Sequence, residues 1–350
     1  MSGLHLNRPL LHNTEKVNKF MASITQFHKI LIIQTAFIGD TILASTLIES
    51  IHTSHPHAEL HILVKSENES LFFNHPIIVK CWTWNKGSQK FKHLIQLIAQ
   101  IRNQGFDMVI NLHRHVSSGL IAGFSNAKYI CGFKQNPLSF LFHYCANHRF
   151  KKGIHETHRY METLHEFSDI KYCKPKLYVD ADTYDSIAQW TQTPYYVIAP
   201  ASVWKTKQAP FEFWTQLCNK LSPLLPVYII GGHADYKRCE LLTQTQKNIV
   251  NLCGTLSLLQ SAALLSKAKM NYVNDSAPLH LASAMNAPVS AFFCSTTPDF
   301  GFGPLSENSY IFEVSNLNCK PCGIHGHTTC PKTHFRCGTQ LLLQLNNIPV

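Results

Sequence analysis

A carboxylate, Asp40, follows a short β-branched run and heads a segment with helical apolar spacing, in the turn Thr35–Asp40 (TAFIGD). Two readings stand for it. Aspartate favours helix N-caps, where its side chain satisfies free backbone N–H groups. A carboxylate at the mouth of a cleft can instead take a proton from an attacking hydroxyl. Because a helix N-terminus stabilises the anion, the expectation is a weak base that orients the nucleophile and accepts its proton late. Gly39 beside it permits close backbone approach.

Three later stretches suit an anion. Ala199–Pro210 (APASVWKTKQAP) follows a strand-like run and offers Ser202, Thr206 and Lys207, hydroxyls and an ammonium that match phosphate oxygens. A solvated basic loop explains the same residues. In Asn274–His280 (NDSAPLH), Asp275 or Ser276 is placed to cap a helix, Pro278 suits its first turn, and the free N–H groups there form a diphosphate site. His280 falls one turn in, and capping alone does not require it. In Gly231–Asp235 (GGHAD), the glycines suit a tight turn beside a ligand, with Asp235 set to hold ribose hydroxyls. Neither G-x-G-x-x-G nor G-x-x-x-x-G-K-[ST] occurs, which argues against ordinary dinucleotide and P-loop sites.

Cys319, Cys322, Cys330 and Cys337 cluster near the C-terminus, with His325, His327 and His334 between them. Thiolates and imidazoles at short spacing can hold a structural zinc. Disulfides and free thiols in a packed loop remain the alternatives. The other eight of the twelve cysteines are scattered singly and read as reduced, buried small hydrophobes.

The elements that must carry these residues read as alternating strands and helices. The front half offers a strand at Lys29–Gln34, a helix at Thr41–His52, a strand at Ala58–Val64, a helix at Lys90–Asn103 and a strand at Met108–Leu112. Pro137–Lys152 reads as a buried helix or a membrane-interface segment, and a helix within Lys174–Gln192 closes the half. A second series runs through strands at Tyr195–Pro200, Val227–Gly231, Met270–Asn274 and Val289–Phe293. Its helices fall at Glu212–Leu221, Tyr236–Thr245, Leu256–Ala268 and Pro278–Met285. Two such series imply two Rossmann-like lobes of an α/β protein, with ligands at the carboxyl ends of the strands and a cleft between. The expected division is a flexible extension over 1–28, lobes over 29–180 and 190–318, and a cysteine-rich tail with a terminal helix over 319–350.

At 45% hydrophobic and 15% charged the chain has material for real cores, which excludes disorder as a class. A formal charge of +10 favours anionic partners, or serves only solubility. No apolar stretch is long enough to span a bilayer, and the polar start lacks a secretory core, so the expected location is cytoplasmic, with contact at the inner face of the cytoplasmic membrane.

Taken in order, KILIIQTAFIGDTILASTLIESI, APASVWKTKQAP, NDSAPLHLASAMNAPV and the tail CKPCGIHGHTTCPKTHFRC resemble glycosyltransferase family 9, the ADP-heptose:lipopolysaccharide heptosyltransferases. The resemblance implies the GT-B architecture of two facing Rossmann-like domains, and inverting transfer that requires no metal. It implies a nucleotide-sugar donor and a lipid-anchored glycan acceptor. Asp40 takes the place of the catalytic base. Ser202, Lys207, Asp235, Asp275, Ser276 and His280 take donor-binding places. Ala277 departs from the family's usual glycine. A two-lobed sugar-nucleotide epimerase and a basic nucleic-acid-binding protein are the competing classes, the latter without any recognisable nucleic-acid module.

Overall fold

In the computed structural model, residues 23–87, 89–244 and 246–350 are described. The expected flexible extension lies outside them as far as residue 22, as does residue 245 at the end of the expected helix Tyr236–Thr245. Residues 23–28 already belong to the front lobe: Ile24 is fully buried in its core, and its N–H donates to Asp169.

Among the described residues, twelve strands form two parallel sheets of six. The front lobe runs β1 (Lys29–Ile33), α1 (Ile38–Ser54), β2 (Glu59–Lys65), β3 (Ile78–Trp84), α2 (Lys90–Arg102), β4 (Met108–Asn111), α3 (Val116–Gly123), β5 (Tyr129–Phe133) and β6 (Tyr144–Ala146). Then α4 (Glu156–Met161) and α5 (Ala181–Ser186) lead to the rear lobe. That lobe contains β7 (Tyr196–Ala199), α6 (Phe211–Leu221), β8 (Val227–Ile229), α7 (Tyr236–Thr243), β9 (Ile249–Asn251) and α8 (Leu258–Lys267). It continues with β10 (Met270–Asn274), α9 (Ala277–Ala284), β11 (Val289–Phe293), β12 (Ser309–Glu313) and α10 (Arg336–Thr339). The sheet orders, β3-β2-β1-β4-β5-β6 and β12-β11-β10-β7-β8-β9, are the same doubly wound topology built twice. Each sheet reverses its winding beside its first strand, between β1 and β4 in front and between β7 and β10 behind.

Helices α1 and α2 show how position dictates composition. In α2 only Leu94, Leu97 and Ile101 are buried, one stripe of a surface helix. In α1 ten residues are buried, polar Thr41, Ser45, Thr46 and Ser50 among them. It lies between the lobes, packed on α4 and on α9. Ile42, Leu47 and Ile51 join Leu279, Leu281 and Ala282 of α9 in one continuous apolar core. The buried hydroxyls have a purpose: the Ser50 and Ser45 Oγ atoms accept from the Cys173 and Lys176 N–H groups at 2.9 and 3.0 Å.

That pairing explains a correction. The helix expected within Lys174–Gln192 is instead an extended strap, followed by α5 and a short turn at Ala188–Trp190. Pro175 disfavours a helix before it, and the strap's backbone is satisfied by α1 and by a bond from the Leu177 N–H to the Ala284 carbonyl. Pro137–Lys152 is not a helix either. A one-turn segment at Ser139–Leu141 leads into β6, with Phe142 turned inward and Phe140 76% exposed.

Candidate active site

The ends of β1, β7 and β10, the three strands beside the two reversals, open onto one cleft of about 830 Å3. The front lobe contributes Phe37, Ile38, Gly39 and Asp40 to its walls. The rear lobe contributes Ser202, Lys207, Asp275, Ser276, Ala277 and His280. The lobes meet tightly here. A Cβ on Gly39 would stand 2.7 Å from His280 Cδ2, so only glycine lets the head of α1 approach α9 this closely.

The rear wall is fixed by buried Asn274, which ends β10. Its Nδ2 donates to the Pro200 carbonyl at 2.8 Å, and its Oδ1 accepts from the Ala209 N–H at 2.9 Å. The loop carrying Lys207 is thereby stapled to the strand carrying Asp275. Lys207 Nζ lies 2.7 Å from Asp275 Oδ2, which also accepts from the Thr296 hydroxyl at 2.6 Å. An ammonium has three donors, so the ion pair leaves Lys207 two for a ligand. Burial pushes the His280 imidazole down to about 4, against the pull of the Asp275 charge, so it is neutral at pH 7. Its Nδ1 is buried and has no protein partner.

The front wall behaves differently. Phe37 is the N-cap of α1 and Asp40 sits in the first turn, not at the cap as one reading of the sequence had it. Asp40 is half-buried by surface area, yet the protein around its carboxyl is dense enough for desolvation to dominate. Burial raises its pKa to about 7, and the neighbouring Glu156 charge adds to the rise. The Arg114 charge and the backbone N–H groups of Asp40 and Phe37 oppose it without prevailing. The expectation that the helix terminus would keep Asp40 a weak base is therefore corrected. The turn before it is held by Lys86, which donates to the Thr35 carbonyl at 2.6 Å, and by His113 Nδ1, 2.9 Å from the Thr35 hydroxyl.

Sequence reasoning passed over the charges behind Asp40. Buried Glu156 is held ionised, its pKa lowered despite burial, by His148 Nε2 at 2.7 Å and by the Arg159 guanidinium. Arg114 Nη1 reaches His148 Nδ1 at 3.3 Å. The string His155-Glu156-Thr157-His158-Arg159 was the available signal.

Two donor-binding expectations fall outside the cleft. The Thr206 hydroxyl is buried and committed to Ser295 Oγ at 2.9 Å and to the His327 N–H at 2.7 Å, so it braces the loop. The Asp235 carboxylate accepts from the Gly232 N–H at 2.9 Å within its own turn and lines a separate hollow with Gln208 and Arg238. The thiols of Cys319, Cys322, Cys330 and Cys337 are unpaired. Cys319 Sγ lies 3.8 Å from His334 Nε2. Among the described residues no three His, Cys, Asp or Glu side chains converge as a metal-ligand set, so these four do not fit a zinc in this arrangement.

Comparison with known proteins agrees with this geometry. The chain is 24% identical over 315 residues to lipooligosaccharide heptosyltransferase 2 of Haemophilus ducreyi, covering 82% of this chain and 88% of that one. It resembles the solved ADP-heptose lps heptosyltransferase II of E. coli, with a TM-score of 0.74, 19% identity and 91% and 99% of the two chains covered. It also resembles a family 9 glycosyl transferase of Veillonella parvula, with a TM-score of 0.76, 17% identity and 91% and 98% covered. Residues 94–332 match the model of glycosyltransferase family 9 (heptosyltransferase), and on that match the chain belongs to this family of glycosyltransferases.

Proposed function

We propose that the chain moves heptose from ADP-heptose onto a lipopolysaccharide core-type acceptor, by a single displacement that inverts the anomeric centre. The observation that carries this reading is one cleft in which a carboxylate with a raised pKa faces a lysine, a helix N-terminus and a neutral histidine. The acceptor hydroxyl attacks the anomeric carbon as the bond to the diphosphate oxygen breaks, and the hydroxyl proton passes to Asp40. A carboxylate near 7 is matched to that transfer at neutral pH. The free donors of Lys207 and the N–H groups at the head of α9, beside Ser276, stabilise the charge growing on the leaving phosphate. Ala277 places a methyl group in the cleft where the family usually has glycine, which narrows the space for the donor.

On the acceptor side, a hollow of about 910 Å3 beyond β3 and β4 is lined by Trp84, Lys86, Lys90, Phe91, His113 and His115. Cations beside aromatic rings suit a phosphorylated glycan on a lipid anchor. Among the described residues no helix is long and apolar enough to cross a membrane. The proposed location is the inner face of the cytoplasmic membrane, touched peripherally by exposed Phe91 and Phe140. Incubating the purified chain with ADP-heptose and heptose-free acceptor tests the reading. Release of ADP coupled to a heptose-sized mass gain on the acceptor supports it. ADP release without acceptor modification, or no reaction, contradicts it.

A further inference from the structure

The cysteine-rich tail reaches the cleft through one side chain, His325, which stands in its lining with Lys207, Ser276 and Asp40. We propose that His325 is a contact residue for the departing diphosphate, delivered to the donor site by the tail. The inference rests on the proposed nucleotide-sugar reading and adds a residue to it.

The tail is fastened to the Lys207 loop by paired bonds. The Thr206 N–H donates to the His327 carbonyl at 3.0 Å, and the His327 N–H donates to the Thr206 hydroxyl at 2.7 Å. Gly326 between them has φ +79°, and a Cβ there would stand 3.2 Å from Lys207 Cγ, Thr206 Oγ1 and Trp204 Cβ. This close left-handed approach needs glycine. Further back, the Cys322 N–H donates to the Ser295 carbonyl at 2.9 Å, and the His327 ring lies 3.1 Å from the Cys322 carbonyl. Lys320 Nζ donates to the Phe293 carbonyl at the end of β11 at 2.9 Å. These anchors fix the backbone on both sides of His325, so its ring is aimed rather than trailing.

Its surroundings indicate the ligand class. Burial, then the Lys207 and Arg114 charges, lowers its pKa, which places it near one cation from each lobe. A neutral imidazole among cations retains one N–H donor and no charge to be repelled. The chemistry that completes such a cluster is a multiply charged phosphate, and an N–H aimed at it stabilises the leaving group as charge develops.

The test titrates ADP into the full-length chain by calorimetry and follows transfer kinetics for His325→Ala, His325→Gln and Lys207→Ala. His325→Ala is expected to weaken ADP binding and lower kcat by on the order of tenfold each, the scale of a hydrogen bond to a charged group. The thermal midpoint should not move, because the side chain is exposed on the cleft. His325→Gln, which keeps an N–H donor, should recover most of the loss, a rescue that a merely structural role would not produce. The Thr206→Val variant, which cuts the hydroxyl bond to His327, should shrink the further effect of His325→Ala. If Lys207→Ala weakens ADP binding while His325→Ala leaves affinity and kcat unchanged, the inference fails alone. If the unaltered chain does not bind ADP, the proposed function fails with it.

Discussion

Two aspartates face the same cleft from opposite lobes, and their surroundings divide the labour between them. Asp275 is bound on one oxygen by Lys207 and Thr296, so its charge is spent holding a lysine in place. Asp40 has no cation at salt-bridge distance, lies near the Glu156 charge, and is raised to about 7. Identical side chains become a fixed counter-ion on one wall and an exchangeable proton acceptor on the other. The Glu156 network sharpens the contrast: His148 and Arg159 keep Glu156 anionic, and that anion then acts on Asp40.

Substitutions can break this comparison in order of expected effect. Asp40→Asn removes the acceptor at nearly constant shape, and kcat should fall by about 10²–10⁴, the usual range for a general base, with ADP affinity kept within about twofold. Calorimetry and initial rates check both halves. Asp275→Asn leaves a largely buried lysine without its counter-ion. The expected loss is about 3 kcal/mol of folding stability, together with weaker ADP binding, measured by denaturant unfolding and titration. Gly39→Ala forces a methyl group against His280, costing about 1–3 kcal/mol and lowering transfer, because both cleft walls must shift.

The smallest effect is a pH-dependent one on stability. The folded Asp40 carboxyl holds its proton to about 7, against an ordinary value of 3.8. Its stability contribution is therefore complete below about 4 and is lost as pH climbs from there to about 7. Asp40→Asn does not titrate, so its thermal midpoint relative to the unaltered chain should rise across that window and level off above it. A constant difference from pH 4 to 8 would remove the raised pKa.

How far the sequence carried this picture depended on burial. Central strands buried on both faces, such as β1 and β10, are continuous apolar or β-branched runs and could be read directly. β3 and β12 lie at sheet edges with mixed exposure, and β6 and β9 are three-residue edge strands, so none had a distinct pattern. Within the site, Asp40, Lys207, Asp275 and His280 were legible because each follows a strand end. Glu156, His148 and Arg114 come from separate front-lobe loops and a short helix, and only tertiary packing brings them behind Asp40. Thr206 and Asp235 were misplaced for a related reason: each is near a strand end, but local hydrogen bonds claim its side chain.

The pH dependence of transfer at saturating donor and acceptor tests the raised Asp40 carboxyl most directly. The account predicts a rate that climbs about tenfold per pH unit on the acid side and levels off near pH 7, with the Asp40→Asn residual rate showing no such limb. A rate that stays flat down to pH 5 in the unaltered chain would contradict it.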